Sequence, residues 1–246
     1  MVKISIITVC FNSQNTIEQT IKSVLAQNLK DFEYVIVDGA STDNTLSIIK
    51  KYAEVDDRIR YISEPDNGIY NAMNKGWRMA RGEWIYYIGA DDELLPDGLK
   101  GLLEQDNIAV SPDVIYGNIL YRKSNGETAI HKHKSHQRLP WSFFASHQAI
   151  IVRRSVIDRL CGFDENLKII ADKDLFIRSY FLGDCKFVPS ESVVAIFDGG
   201  GASGNYYKCF KEDLYVYRKV RPGFRYLLYA IQHFPRMWLK SKLGIV

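Results

Sequence analysis

Several familiar signatures are missing from this chain, and each absence narrows its chemistry. The four cysteines, Cys10, Cys161, Cys185 and Cys209, are scattered with no CxxC spacing. That argues against a disulfide framework or a zinc site and suits small buried hydrophobes in a reducing compartment. No GxGxxG follows the first apolar stretch, and no GxxxxGK(S/T) occurs. The first weakens a dinucleotide-binding reading and the second removes a P-loop. No apolar run reaches the roughly 18 residues of a bilayer-spanning helix. The first residues, MVKISIITVCFNS, lack a basic leader and a cleavage site and alternate like a strand, so a signal peptide is not expected. Internal repeats and linkers rich in Pro or Ser are absent too.

What is present is an ordinary globular composition, 46% hydrophobic over 246 residues, enough for one sizeable α/β domain. The net charge of +3 hides an asymmetry. From Tyr206 onward nine Lys/Arg face two acids, Glu212 and Asp213, for +7, and the preceding residues carry −4. An acidic body with a basic tail is a statement about partners.

Strand-like and helix-like segments alternate through the first half. Apolar runs at 3–9, 32–37 and 58–63 are each followed by a helical pattern, the last over 69–79. Crossovers of about 10 to 15 residues argue a parallel sheet. The fourth run, Trp84-Ile85-Tyr86-Tyr87-Ile88, has no polar face and reads as a central strand covered on both sides. It ends in Gly89-Ala90-Asp91-Asp92. Adjacent carboxylates repel unless something positive sits beside them. In such sheets ligands bind beyond the carboxyl ends of the strands. A divalent metal carrying a diphosphate fits there, and so does a solvated turn that caps the next helix. Asp38 and Asp66 fall at neighbouring strand ends, and Asp38 before Gly39 also suits a plain turn. The second half is less regular, with strands at 114–121, 149–152 and 185–196, a hairpin turn at Lys123-Ser124-Asn125-Gly126, an amphipathic helix over 172–181 and a glycine loop at 199–204.

The stretches ISIITVCFNSQNTIEQTIKSVLAQ, YVIVDGASTDNTLSII, ISEPDNGIYNAMNKGWRMARGEWIYYIGADDELLP, SHQAIIVRRS, GFDENL and ADKDLFIRSY together resemble a family 2 glycosyltransferase of the GT-A fold. The segment SEPDNGIYNAMNKG is similar to members that build bacterial exopolysaccharide, capsule and lipopolysaccharide. The resemblance covers roughly residues 3–197. It implies a Rossmann-like, mostly parallel central sheet flanked by helices. The catalytic domain would be 1–205, with a nucleotide-binding half over about 1–105 and an acceptor half over about 106–205. A helical tail, 206–246, would follow.

The resemblance also implies roles. Val9, Phe11 and Asn12 would line the nucleoside pocket, Asp38 would meet the base, and Asp66 with the stretch from Gly68 to Lys75 would border base and phosphates. Asp91 and Asp92 occupy the end of the family's metal motif and would hold Mg²⁺ or Mn²⁺, a pairing that suits hard oxygen ligands and a diphosphate. Gly89 stands where that motif often places a leading Asp. Asp172 matches the supposed general base, with Ala171 in place of a Glu, and its residue type equally suits a helix N-cap. His147 and Gln148 would touch the sugar or the acceptor. The implied activity is inverting, metal-dependent transfer of a hexosyl or N-acetylhexosaminyl group from a nucleotide-diphosphate-sugar to a hydroxyl of a glycan or lipid-linked acceptor, in cell-surface polysaccharide synthesis. Transfer to polyprenyl phosphate, which needs no base, is an alternative, as is a non-catalytic nucleotide-sugar or glycan-binding membrane subunit.

Two basic segments remain. His131, His133 and His136 are interleaved with Lys132, Lys134 and Arg138, cations that disfavour a metal and favour an anion-facing loop. In the tail, Phe224, Leu227, Leu228, Ile231, Phe234, Trp238 and Leu239 repeat at helical spacings among Lys and Arg. This fits an amphipathic helix lying on an anionic membrane, and equally a helix packed on the body. No nucleic acid is expected, since no recognised binding motif accompanies the charge. The implied place is the cytoplasm, with peripheral contact at the inner membrane's cytoplasmic face.

Overall fold

The apolar strands of the first half bury both faces, and the side-chain period of two explains how. In β1 (Ile4–Cys10), Ile4 and Ile6 face one core and Ile7 the other. The same split holds in β2 (Phe32–Asp38), with Tyr34 and Ile36 on one side and Val35 and Val37 on the other. In β4 (Trp84–Tyr87), Trp84 and Tyr86 oppose Ile85 and Tyr87. The first core is closed by α1 (Ile17–Leu25) and α2 (Thr45–Ala53), through Ile17, Ile21, Val24 and Ile49. Each such side chain contributes about 1.5–3 kcal/mol by leaving water. The second is closed by α3 (Ile69–Met79) through Tyr70, Ala72 and Met73.

The chain is described by a computed structural model at residues 2–107, 111–122, 126–139, 142–198 and 206–220, with positions 231 and 235. Among these residues nine strands form one sheet. After β3 (Ile59–Ser63) and β4 come β5 (Glu93–Leu94), β6 (Val114–Arg122), β7 (Thr128–His131), β8 (Ile150–Arg153) and β9 (Phe187–Asp198). The order is β3-β2-β1-β4-β8-β6-β9-β5, with β7 on β6. The parallel expectation holds from β3 to β4. In the second half β8 runs antiparallel between β4 and β6, and β9 is parallel to β6. The sheet is mixed, yet six strands share one direction.

In-register pairing brings the strand ends together: Cys10 lies opposite Asp38, and Asp38 opposite Ser63. The short helices α4 (Gly98–Leu103) and α5 (Arg154–Arg159) flank the second half. α6 (Ala171–Leu182) is not the amphipathic helix its sequence suggests. Its buried residues, among them Asp174, Leu175, Phe176 and Ile177, fall on several faces, because α7 (Tyr206–Val220) packs beside it. Phe210, Val216, Tyr217 and Val220 of α7 are buried, so this first part of the tail is packed on the body. The hairpin positions 123–125, the glycine loop over 199–204 and the aromatic repeat from 223 on lie outside the described residues, apart from positions 231 and 235.

Candidate active site

A cleft of about 440 Å³ opens at the carboxyl ends of β1 and β4. Its walls are the turn Val9–Ser13, Ile69 and Met73 of α3, the strand end Tyr87–Asp91, and His147. Val9, Phe11, Asn12 and Asp91 therefore line a common cavity. Asn12 takes a left-handed backbone, φ 50°. Its amide side chain accepts from the Thr42 N–H at 2.9 Å, and its own N–H donates to Ser41 Oγ at 2.8 Å. The turn is thereby tied to the loop after β2. The Phe11 ring is 61% exposed at the cleft, leaving a free aromatic surface.

Asp91 and Asp92 converge above Gly89. A Cβ built there would lie 2.6 Å from Asp92 Oδ2 and 2.8 Å from Asp91 Oδ1, so the absent side chain is what lets both carboxylates close in. Asp91 is exposed, whereas Asp92 is buried. Asp92 Oδ2 accepts from the Gly89 N–H at 3.2 Å and from Gln148 Nε2 at 2.9 Å. Its Oδ1 is buried with no hydrogen-bond partner. Burial raises the Asp92 carboxyl above the ordinary carboxylate range, the Gln148 hydrogen bond opposes this, and the Asp91 charge adds to the rise.

Among the described residues no cluster of three or more His, Cys, Asp or Glu could by itself hold a metal. The pair nevertheless fits a Mg²⁺ or Mn²⁺ that carries substrate phosphates. Such an ion needs one or two carboxylates from the protein and takes its other oxygens from phosphate and water. An orphaned buried carboxylate oxygen beside an exposed carboxylate is the donor set this requires.

Asp172 lies away from the strand-end acids, on the second residue of α6; Ile170 holds the cap position, so Asp172 is not the N-cap. Its Oδ1 is 3.3 Å from the Tyr70 hydroxyl, and that hydroxyl donates to the Ile169 carbonyl at 2.6 Å. Burial first and then the Asp172 charge push the Tyr70 phenol far above its usual value, so it stays a neutral donor. Asp172 Oδ2 is 3.9 Å from His147 Nδ1. His147 thus lines the cleft that Asp91 also lines and reaches Asp172 from it. Asp174 is buried and ion-paired to Arg178 at 2.7 Å, in keeping with a structural role.

Four expected contacts change character. Asp38 is fully buried, and its oxygens accept from Ser41 Oγ at 2.5 Å, Ser63 Oγ at 2.6 Å and the Ser41 N–H at 3.1 Å. It braces the turn that shapes the cleft and offers no free oxygen to a base. Beside it, the Cys10 thiol is raised to about 12 by burial and then by Asp38, so it stays protonated. Asp66 accepts from the Gly68 N–H at 2.8 Å, where Gly68 holds φ 113°, a backbone other residues rarely adopt. Lys75 pairs with Glu64 at 2.9 Å and donates to the Pro65 carbonyl at 2.7 Å, so its charge is already engaged. Gln148 is buried beneath Asp92 and does not line the cleft; its carbonyl accepts from Tyr86 at 2.8 Å. It supports Asp92, and only His147 of the pair faces the cleft.

A family model, glycosyl transferase family 2, matches residues 5–161. The chain belongs to that family. It is a glycosyltransferase of the GT-A fold. A PGL/p-HBAD biosynthesis glycosyltransferase of Mycobacterium bovis is 31% identical over 182 residues, 72% of this chain and 69% of that protein. A Campylobacter jejuni GalNAc(5)-diNAcBac-PP-undecaprenol beta-1,3-glucosyltransferase is 34% identical over 125 residues, 50% of this chain and 40% of its own. Among solved structures, S. aureus TarS 1-349 with UDP superposes with a TM-score of 0.69 at 19% identity, covering 89% of this chain and 67% of that one. A mannosyltransferase from Pyrobaculum calidifontis, in complex with GDP-Man and Mn2+, superposes with a TM-score of 0.64 at 17% identity, covering 99% and 70%. Membership of an enzyme family sets aside the non-catalytic reading. No helix among the described residues is long and apolar enough to cross a membrane.

The sequence places Tyr70 only within the Gly68 to Lys75 stretch expected at the base and phosphates, not against Asp172. Ile69 and Met73 fall in that same stretch, whereas no motif marks Tyr87 as part of the cleft wall. A tyrosine one residue into a helix that starts at a strand end was the available signal.

Proposed function

We propose that this glycosyltransferase moves a sugar from a nucleotide-diphosphate-sugar to an acceptor hydroxyl with inversion. The observation that carries the reading is His147, which faces the cleft beside Asp91 and lies 3.9 Å from Asp172. The donor's nucleoside would sit against Val9–Asn12, its base on the exposed Phe11 ring, and its diphosphate above Gly89. Asp91 and Asp92 would hold Mg²⁺ or Mn²⁺, which when bound supplies positive charge to the leaving diphosphate.

Asp172 takes the proton of the acceptor hydroxyl as that oxygen bonds to the sugar's anomeric carbon. The bond from that carbon to the diphosphate breaks, and its electron pair leaves with the diphosphate. Tyr70 orients the carboxylate, and His147 covers its other side. The acceptor is proposed to be a glycan or lipid-linked saccharide of cell-surface polysaccharide synthesis, on the strength of the relatives' names. Peripheral contact with an anionic membrane is proposed only for the basic aromatic positions after 220, because 206–220 are occupied with the body. The same proposal places the enzyme at the cytoplasmic face.

Donor identity is tested by thermal shift with UDP-glucose, UDP-GlcNAc and GDP-mannose, with and without Mn²⁺. A donor at 100 times its Kd stabilises by about 2.7 kcal/mol. Stabilisation by at least one donor, enhanced by Mn²⁺ and lost in Asp91→Asn, supports the reading. Indifference to all of them opposes it.

A further inference from the structure

The two acids of the basic tail both grip the segment that presents Asp172. Glu212 on α7 spreads its carboxylate over three consecutive backbone N–H groups. Oε1 accepts from Lys168 at 2.9 Å, and Oε2 from Ile169 at 3.0 Å and Ile170 at 3.1 Å. These amides lead into α6 just ahead of Asp172, and that of Ile170, the cap residue, has no intrahelical partner. A carboxylate at that end also meets the positive pole of the helix. Asp213, next in sequence, pairs with Lys173 at 2.5 Å, and both side chains are largely buried.

The Ile169 peptide is held from both sides. Its N–H goes to Glu212 and its carbonyl to Tyr70, the phenol that touches Asp172. A shift of the 168–170 segment would therefore move Tyr70 and Asp172 together. The family match ends at residue 161, so this grip comes from a part of the chain beyond it.

We infer that Glu212 is a positioning residue for Asp172, making α7 part of the active site. The inference rests on the reading of Asp172 as the base. Displacement of a reacting group by about 1 Å can cost on the order of 10²-fold in rate. Removing Glu212 therefore lowers turnover and leaves donor binding, which uses the cleft residues Val9–Asn12 and Asp91, intact.

The test uses the full chain as wild type, Glu212→Ala, Glu212→Gln and Lys219→Ala. Lys219 is the control: it pairs with Asp164 from the same helix and does not touch 168–170. Rates are release of nucleoside diphosphate from UDP-glucose, UDP-GlcNAc and GDP-mannose, with water or a lipid-linked saccharide as acceptor. Two readouts need no turnover: hydrogen exchange at the 168–170 amides and the ¹³C resonance of the Asp172 carboxyl.

For Glu212→Ala the expected result is a fall in kcat of about 10- to 100-fold with donor KM within about twofold. Exchange at 168–170 should quicken and the Asp172 resonance should move. Glu212→Gln, whose amide oxygen can replace Oε2, should recover most of the rate, and Lys219→Ala should behave as wild type. Unchanged kcat in Glu212→Ala overturns the inference, as does an unmoved Asp172 resonance. A general rise of exchange across α6 and α7, with kcat and KM changing together, overturns it in favour of a structural role. Wild-type protein that turns over no donor contradicts the proposed function instead. The exchange and resonance readouts then still decide whether Glu212 sets Asp172.

Discussion

The Nδ1 of His147 lies 3.9 Å from Oδ2 of Asp172, across the gap between the cleft and α6. It lines the cleft together with Asp91 and approaches the proposed base. Replacing it with Ala is expected to lower transfer by about tenfold, or roughly 1.4 kcal/mol of barrier. Steady-state kcat, measured beside an unchanged Tm, checks this.

Asp92 is held above its ordinary range, mainly by burial. A group with a raised folded pKa favours folding below its unfolded pKa and loses that contribution as pH rises through the folded value. Near neutral pH the ionised, buried Asp92 therefore weakens the fold. Asp92→Asn should raise Tm at pH 7 by a few degrees, about what 1 kcal/mol gives a chain of this length. The gain should vanish toward pH 3, where wild-type Asp92 is protonated in both states. The same variant should lose stabilisation by Mn²⁺ with a donor. Scanning calorimetry across pH separates the two effects.

Gly89 is fixed by contact with both carboxylates. Gly89→Ala would bring a Cβ within 2.6 Å of Asp92 Oδ2 and 2.8 Å of Asp91 Oδ1. The acids must part, so turnover should fall by at least about tenfold and the Mn²⁺ needed for half-maximal rate should rise. A rate within twofold of wild type would show that their convergence is unimportant.

Tyr70→Phe keeps the ring, which stacks near Phe163 with centroids 5.9 Å apart, and removes only the hydroxyl. The Ile169 carbonyl loses its donor, which costs about 1–3 kcal/mol if the group stays dry. Transfer should fall further than stability, with donor KM unchanged, as a progress-curve comparison with urea unfolding would show.

The strand that leads to Asp91 and Asp92 was legible because a both-faces-buried strand leaves a continuous apolar run, and the polar turn after it is abrupt. The parallel half of the sheet was legible for the same reason, since each strand and its crossover are contiguous in sequence. The mixed half was not: β8 inserts between β4 and β6 through pairings distant in sequence. Asp38 and Gln148 are expected at the site from their sequence positions, but their direction depends on distant partners. Ser63 turns Asp38 inward, and Asp92 turns Gln148 inward across 56 residues. Glu212 was hidden in another way. A net charge of +7 describes the tail as a surface, and its two acids matter through individual hydrogen bonds that no charge count contains.

The central claim is that Asp91 and Asp172 serve one transfer reaction. It is tested most directly by the initial rate of sugar transfer from a matched donor to a hydroxyl acceptor, for wild type, Asp91→Asn and Asp172→Asn. Each variant should fall by at least about 10²-fold, and wild-type activity should be abolished by chelation and restored by Mn²⁺. Wild-type rates in both variants would contradict the account.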